Sequence, residues 1–147
     1  MQPIYTAEAR VTGEGRSGGH GETTDGRLKA DFSMPKEFGG PGGEGTNPEQ
    51  LVALGYAACF RSALGVVAAR ERVALEGVSI TSRAVIGKAD DGGFDLEFEL
   101  EGDFPGLEQA EAERLMQAAH QVCPYSRAFR SGAPARVTAR GRSSAQA

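Results

Sequence analysis

Cysteine is scarce in this chain: only Cys59 and Cys123 occur among 147 residues. Two thiols cannot complete an all-thiolate zinc site or a disulfide-dense scaffold, so a metal cluster and a secreted cystine framework are both disfavoured. An excess of positive charge is lacking as well. Sixteen basic and 20 acidic side chains leave a formal net charge of -4, which offers no broad footprint for a nucleic-acid backbone. Residues 1–10 contain no basic segment leading into an apolar one, and the longest uncharged apolar run, residues 51–60, spans ten residues. Neither a signal peptide nor a membrane-spanning helix is therefore expected, and a reducing cytoplasm is the expected compartment. No membrane or nucleic-acid partner is expected either. In such a compartment a cysteine pair is more often catalytic or redox-sensing than structural. Glycine, by contrast, is abundant: 21 residues, about twice the usual ~7%.

The length suits one domain over residues 1–147, with 141–147 a polar tail expected to fray. Residues 4–11 alternate in polarity and predict a half-buried strand. The glycine-rich stretch 13–21 predicts a turn holding Arg16. Asp25-Gly26 is a hairpin signal, with strands near 20–24 and 27–33. Thr46-Asn47-Pro48-Glu49 predicts a helix start, with Thr46 or Asn47 as cap, Pro48 in the first turn and Glu49 complementing the dipole. That helix should run to about Arg72. Its uncharged first half has the pattern of a helix covered all round, either central or shared with a partner. A second hairpin is expected from strands at 78–86 and 94–100, then a helix over 106–121, a restart at Cys123-Pro124, and a last strand at 135–139. The order βββ-α-ββ-α-(α)-β is an α+β fold. Strands paired as hairpins exclude a doubly wound parallel sheet.

Cys59 lies within the uncharged helix, and three of its neighbours at helical spacing (Gly55, Ser62 and Ala63) are small, while Tyr56 is the fourth. Small neighbours leave room for close packing around a core thiol or for an access pocket, and both readings stand at this point. Cys123 precedes Pro124 at a helix boundary, where its thiol could meet the positive end of a following helix. Thiols from two helices form a peroxidatic and resolving couple when their Cα atoms come within ~7 Å. Zinc bound by His20, Cys59, His120 and Cys123 is the weaker alternative, because close ligand spacing occurs only once.

The blocks Thr46-Asn47-Pro48-Glu49-Gln50-Leu51, Gly55-Tyr56-Ala57-Ala58-Cys59-Phe60 and Val122-Cys123-Pro124-Tyr125-Ser126 resemble the signatures of the Ohr/OsmC superfamily. Tyr-Ser after Cys-Pro is closer to the organic hydroperoxide resistance (Ohr) branch than to the osmotically inducible one. Ile4-Tyr5-Thr6-Ala7 and Gly39-Gly40 are also similar to Ohr proteins, so the resemblance covers nearly the whole chain. It implies a thiol peroxidase that reduces organic hydroperoxides to alcohols, with Cys59 peroxidatic, Cys123 resolving, and Arg16 paired with Glu49. It also implies an OsmC/Ohr-like intertwined homodimer with central helices. It further implies that no cofactor is bound and that the reductant is an external dihydrolipoyl group on lipoylated proteins. Ser17 stands where an acidic residue is common, and residues 127–132 match loosely, which leaves pocket shape and donor preference open.

These residue types suit that chemistry. A guanidinium favours a nearby thiolate and stabilises the departing alkoxide. A bidentate carboxylate fixes the guanidinium. A second thiol converts the sulfenic acid to a disulfide before further oxidation, and an external dithiol reduces it by exchange. Glu49 precedes Cys59 by ten residues, a rise of about 15 Å on a straight helix. Glu49 and Cys59 therefore cannot be adjacent within one helix, and if Arg16 and Glu49 both serve Cys59, supply from the other subunit by paired antiparallel helices is one arrangement that the sequence leaves open beside action within one chain. An alkyl chain calls for an apolar pocket, for which Phe38, Phe60, Phe94, Met116 and Tyr125 are candidates, each equally at home in a core. The alternative is a non-enzymatic redox-sensing or lipid-binding module with a switch disulfide.

Overall fold

The computed structural model describes residues 1–142. The chain forms two compact units interleaved along the sequence, Met1–Ala58 with Ile80–Asp103, and Cys59–Ser79 with the chain from Phe104 onward. The expected frayed tail at 141–147 falls mostly outside the described residues.

In the first unit, β1 (Ala9–Thr12), β2 (His20–Thr23) and β3 (Lys29–Asp31) make an antiparallel meander in the order β1-β2-β3. Ala9 pairs with Thr23, and His20 with both Thr12 and Asp31. Asp25-Gly26 turns the chain as expected: the Gly26 N–H donates to the Thr23 carbonyl at 2.8 Å with φ +74, a conformation glycine adopts without strain. Thr23 Oγ1 and the Arg27 N–H both donate to the Asp25 carboxylate. The first strand is shorter than predicted. Residues 1–8 are exposed, Ile4 at 99% and Tyr5 at 78%, because the pairing of β1 with β2 ends at Ala9.

The helix α1 (Pro48–Glu71) begins where its cap chemistry places it. Asn47 is the cap: its Oδ1 accepts the Gln50 N–H at 2.8 Å, while Thr46 Oγ1 donates to the Gln50 side chain. At the other end Arg72 adopts φ +58 and closes a Schellman motif, its N–H donating to Ala69 O and that of Val73 to Ala68 O. By length and composition α1 is long and apolar enough to cross a membrane, contrary to the expectation drawn from uncharged runs. Arg61 interrupts those runs but not the helix, and alanine and glycine keep its average apolar. One face of it lies in the protein core, where Phe60, Leu64 and Ala68 are fully buried.

The strands β4 (Ser79–Lys88) and β5 (Phe94–Asp103) form the second hairpin. Ile80, Ser82, Ala84 and Ile86 are the half-buried alternate residues of β4, as the sequence alternation requires. Phe98 of β5 meets Tyr56 edge to face at 5.4 Å.

The second unit contains the C-terminal part of α1 with α2 (Gln109–Val122) and α3 (Pro124–Ser131). Ala112, Leu115 and Ala119, at helical spacing on α2, are buried, as are Cys123 and Ser126 beyond it. Arg114 donates to both Glu71 oxygens at 2.7 and 2.9 Å. The expected last strand at 135–139 does not form. Residues 133–142 are exposed, Val137 at 91%, and an alternating pattern without a neighbouring strand has no ladder to join.

Candidate functional site

The first cluster belongs to the first unit and grows out of the glycine-rich turn. Gly15–Ser17 form one turn of 3-10 helix, flanked by glycines at positive φ, and the Gly19 N–H closes it on Gly15 O at 2.8 Å. This loop leads into β2. The start of α1 is docked beside the same sheet, since Thr46 N–H donates to Asp31 O and Ser33 N–H donates to Thr46 O, at 2.8 and 3.0 Å. The docking brings Glu49 to Arg16. Arg16 Nη1 and Nη2 donate to the two Glu49 oxygens, each at 2.7 Å, with side-chain exposures of 25% and 15%. Parallel bonds of this length make a bidentate, charge-assisted pair. Arg16 holds the Glu49 carboxyl below the usual glutamate range, and Glu49 raises the already high Arg16 value.

The Arg16 guanidinium also lies over the Phe38 ring, 4.9 Å from its centroid, and Phe38 leans on Phe94 at 5.5 Å. A cavity of about 380 Å³ adjoins the pair, with Phe38, Ala53, Ala84 and Ile86 as apolar wall and Glu49 contributing its carboxylate. Of the five side chains suggested for a pocket, Phe38 lines this cavity. Phe94 packs behind it at 56% exposure, Phe60 is a fully buried core ring, Met116 is half-buried on α2, and Tyr125 meets Phe129 edge to face in α3. Ala53, Ala84 and Ile86 were missed, although the inward alternation of β4 pointed to the last two.

The second cluster belongs to the second unit. Cys59 and Cys123 are free thiols with their Sγ atoms 3.7 Å apart, Cys123 fully buried and Cys59 half-buried. Burial pushes the Cys59 thiol up, the backbone N–H of Tyr125 pulls it down, and the neighbouring Cys123 thiol raises it again. Cys123 caps α3 with extended backbone, φ -62 and ψ 123. The positive end of α3 thus directs the Tyr125 N–H at Cys59, not at Cys123 as the sequence suggested.

Both histidines hydrogen-bond through Nδ1. His20 Nδ1 bonds Asp31 at 2.7 Å, and His120 Nδ1 bonds Ser126 Oγ at 2.9 Å. Among the described residues no three metal-ligating side chains gather.

Residues 40–138 match the family model described as OsmC-like protein. An organic hydroperoxide resistance protein of Xanthomonas axonopodis pv. citri is 48% identical over 136 residues, covering 92% of this chain and 94% of that one. The chain belongs to the OsmC-like family, in its organic hydroperoxide resistance branch. Solved structures of that branch agree. A Legionella pneumophila organic hydroperoxide resistance protein superposes with TM-score 0.81 at 51% identity, covering 88% of this chain and 93% of that one. OhrB of Bacillus subtilis superposes with TM-score 0.77 at 39% identity, covering 87% and 93%. The α+β fold expected from the motifs is thereby that of the Ohr proteins. The Ohr membership read from the two cysteine blocks holds as well.

Proposed function

We propose that this Ohr-branch protein detoxifies organic hydroperoxides as a two-cysteine peroxidase. The observation that carries the reading is the approach of the Cys59 and Cys123 sulfurs to 3.7 Å in the reduced protein. The Cys59 thiolate attacks the peroxide, an S–O bond forms as the O–O bond breaks, and the alkoxide takes a proton to leave as the alcohol. Cys59 is then a sulfenic acid. The Cys123 sulfur displaces its hydroxyl, giving the disulfide and water. An external dithiol, a dihydrolipoyl group on a lipoylated protein, reduces the disulfide by exchange. Burial raises the Cys59 thiol, so a cation is needed to supply thiolate near neutral pH. The guanidinium of Arg16, held by Glu49, meets that need and stabilises the leaving alkoxide.

The active protein is a homodimer in which Arg16 and Glu49 of one copy serve Cys59 of the other. Helix arithmetic supports this, since ten residues separate Glu49 from Cys59 and correspond to about 15 Å of rise. Exposed apolar residues of α1, Leu54 at 71% and Val66 at 49%, together with Ile4 and Tyr5, supply apolar surface for the partner. Mixing Arg16→Ala with Cys59→Ser protein tests the arrangement. Sites built across the dimer regain activity in mixed dimers, whereas sites built within one chain do not.

The cavity beside Arg16 receives the alkyl chain. Burying about four carbons contributes roughly 3 kcal/mol, on the order of 100-fold in kcat/KM over hydrogen peroxide. Stopped-flow oxidation by an alkyl hydroperoxide tests the whole reading. Cys59→Ser abolishes consumption and Arg16→Ala slows it steeply. Undiminished consumption by Cys59→Ser removes the nucleophile assignment, and full-rate oxidation of Arg16→Ala favours a switch protein over a peroxidase.

A further inference from the structure

Cys123 sits at a break between two helices, and its direction depends on how those helices are joined. The chain leaves α2 at Val122 and enters α3 at Pro124, with Cys123 in extended backbone between them. Two backbone bonds hold this residue: its N–H donates to Ala119 O, and its carbonyl accepts the Arg127 N–H, both at 2.9 Å. Each ties Cys123 to one helix only. Side chains that cross the break add ties between the two helices.

His120 and Ser126 make that crossing. They stand three residues before and three after Cys123, and His120 Nδ1 and Ser126 Oγ share a hydrogen bond of 2.9 Å. Ser126 is 1% exposed and Cys123 is 0% exposed. Arg130, one turn beyond Ser126, donates from Nη1 to the His120 carbonyl at 3.4 Å, a second tie between the same two helices. The first turn of α3 also carries the Tyr125 N–H that faces Cys59. One short helix therefore aligns both sulfurs, and the His120–Ser126 bond fixes that helix to α2.

We propose that His120 and Ser126 are positioning residues for disulfide formation, a clasp that keeps the Cys123 thiol aimed at the Cys59 sulfenic acid. The inference rests on the two-cysteine reading above and assigns the rate of its second step. In that step the S–O bond of Cys59–SOH breaks, the S–S bond forms, and the hydroxyl leaves with the Cys123 proton as water. Cys59 sulfur is reduced by one unit and Cys123 sulfur oxidised by one. The sulfurs must close from 3.7 Å to about 2.05 Å. A thiol held on the correct side reaches that distance by a small rotation, whereas a thiol on an unclasped helix must search for it.

The test measures two rates in one experiment. Reduced wild type, His120→Ala, Ser126→Ala and His120→Asn proteins are mixed with an alkyl hydroperoxide and quenched over time. Sulfenic acid is trapped with a carbon nucleophile, and the disulfide and Cys59 sulfinic acid are counted by mass spectrometry. The expected result for both alanine variants is a fall of about tenfold in the ratio of disulfide formation to Cys59 oxidation. Sulfinic acid should accumulate at hydroperoxide levels the wild type tolerates. His120→Asn, whose amide nitrogen stands near the position of Nδ1, restores the ratio. A merely structural role lowers both rates together and leaves the ratio unchanged, and that outcome in the Ser126→Ala protein overturns the proposal. A wild type that forms no hydroperoxide-dependent Cys59–Cys123 disulfide instead overturns the two-cysteine reading itself.

Discussion

Replacing Glu49 by glutamine keeps the size of the side chain and removes its charge. In the structure both Glu49 oxygens accept from Arg16 at 2.7 Å. Glutamine retains one acceptor and turns an N–H donor toward the other guanidinium nitrogen. Charge-assisted bonds of this kind contribute about 1.5–3 kcal/mol each when enclosed. The two side chains keep 25% and 15% of their exposure, so water screens the pair, and a net loss of about 1–2 kcal/mol is expected. For a domain of this size that lowers Tm by roughly 2–8 °C. The kinetic effect is of similar size in free energy, because a released arginine regains up to ~2 kcal/mol of rotamer freedom that must be lost again at each turnover. That corresponds to about 30-fold in kcat/KM. Calorimetry and steady-state assay with an alkyl hydroperoxide measure the two effects. A melt that falls as expected while kcat/KM stays within twofold of wild type refutes the positioning role of Glu49. The pH dependence gives a second check. The Glu49 carboxyl lies below its ordinary value of 4.5, so its contribution is fully present above that value and is lost as pH falls through the lower folded one. Wild type and Glu49→Gln melting temperatures should converge only in that acid range.

Other substitutions test separate parts of the argument. Cys123→Ser should oxidise once at Cys59 at near wild-type rate and then proceed to sulfinic acid, read by mass, and sustained turnover with a dithiol donor would remove its resolving role. Gly19→Ala places a Cβ 2.6 Å from Gly15 N and 2.7 Å from Thr12 O, both backbone, so the loop that carries Arg16 must shift. A loss of about 1–3 kcal/mol in denaturant unfolding is expected, and an unchanged midpoint would contradict the close approach. Arg72→Gly relieves a left-handed residue at the end of α1, φ +58, and should stabilise by roughly 0.5–1 kcal/mol, seen as a higher Tm and refuted by a lower one.

Much of this protein was legible because its signals are local. The cap at Asn47, the Asp25-Gly26 turn, the alternation of β4 and the break before Pro124 each follow from the backbone preferences of a few adjacent residues. The two cysteine blocks and the glycine-rich turn holding Arg16 were equally visible. Three expectations failed where a local pattern needed a distant partner. Residues 4–7 and 135–139 carry strand alternation but, among the described residues, have no neighbouring strand to pair with. The positive end of α3 meets Cys59, a choice made by helix packing and not by the order of residues along α3. The His120–Ser126 contact was likewise invisible, because a histidine three residues before a cysteine reads as a possible ligand until its partner Ser126 is known.

The sequence by itself determined most of the elements and the family to which the chain belongs, since propensity, capping and motif spacing act over a few residues at a time. Tertiary structure alone decided which of those residues meet. The Arg16–Glu49 pair is separated by 33 residues and the two sulfurs by 64, and contacts of that span arise only when tertiary packing within each unit holds the start of α1 beside the sheet, or α2 and α3 beside the later part of α1.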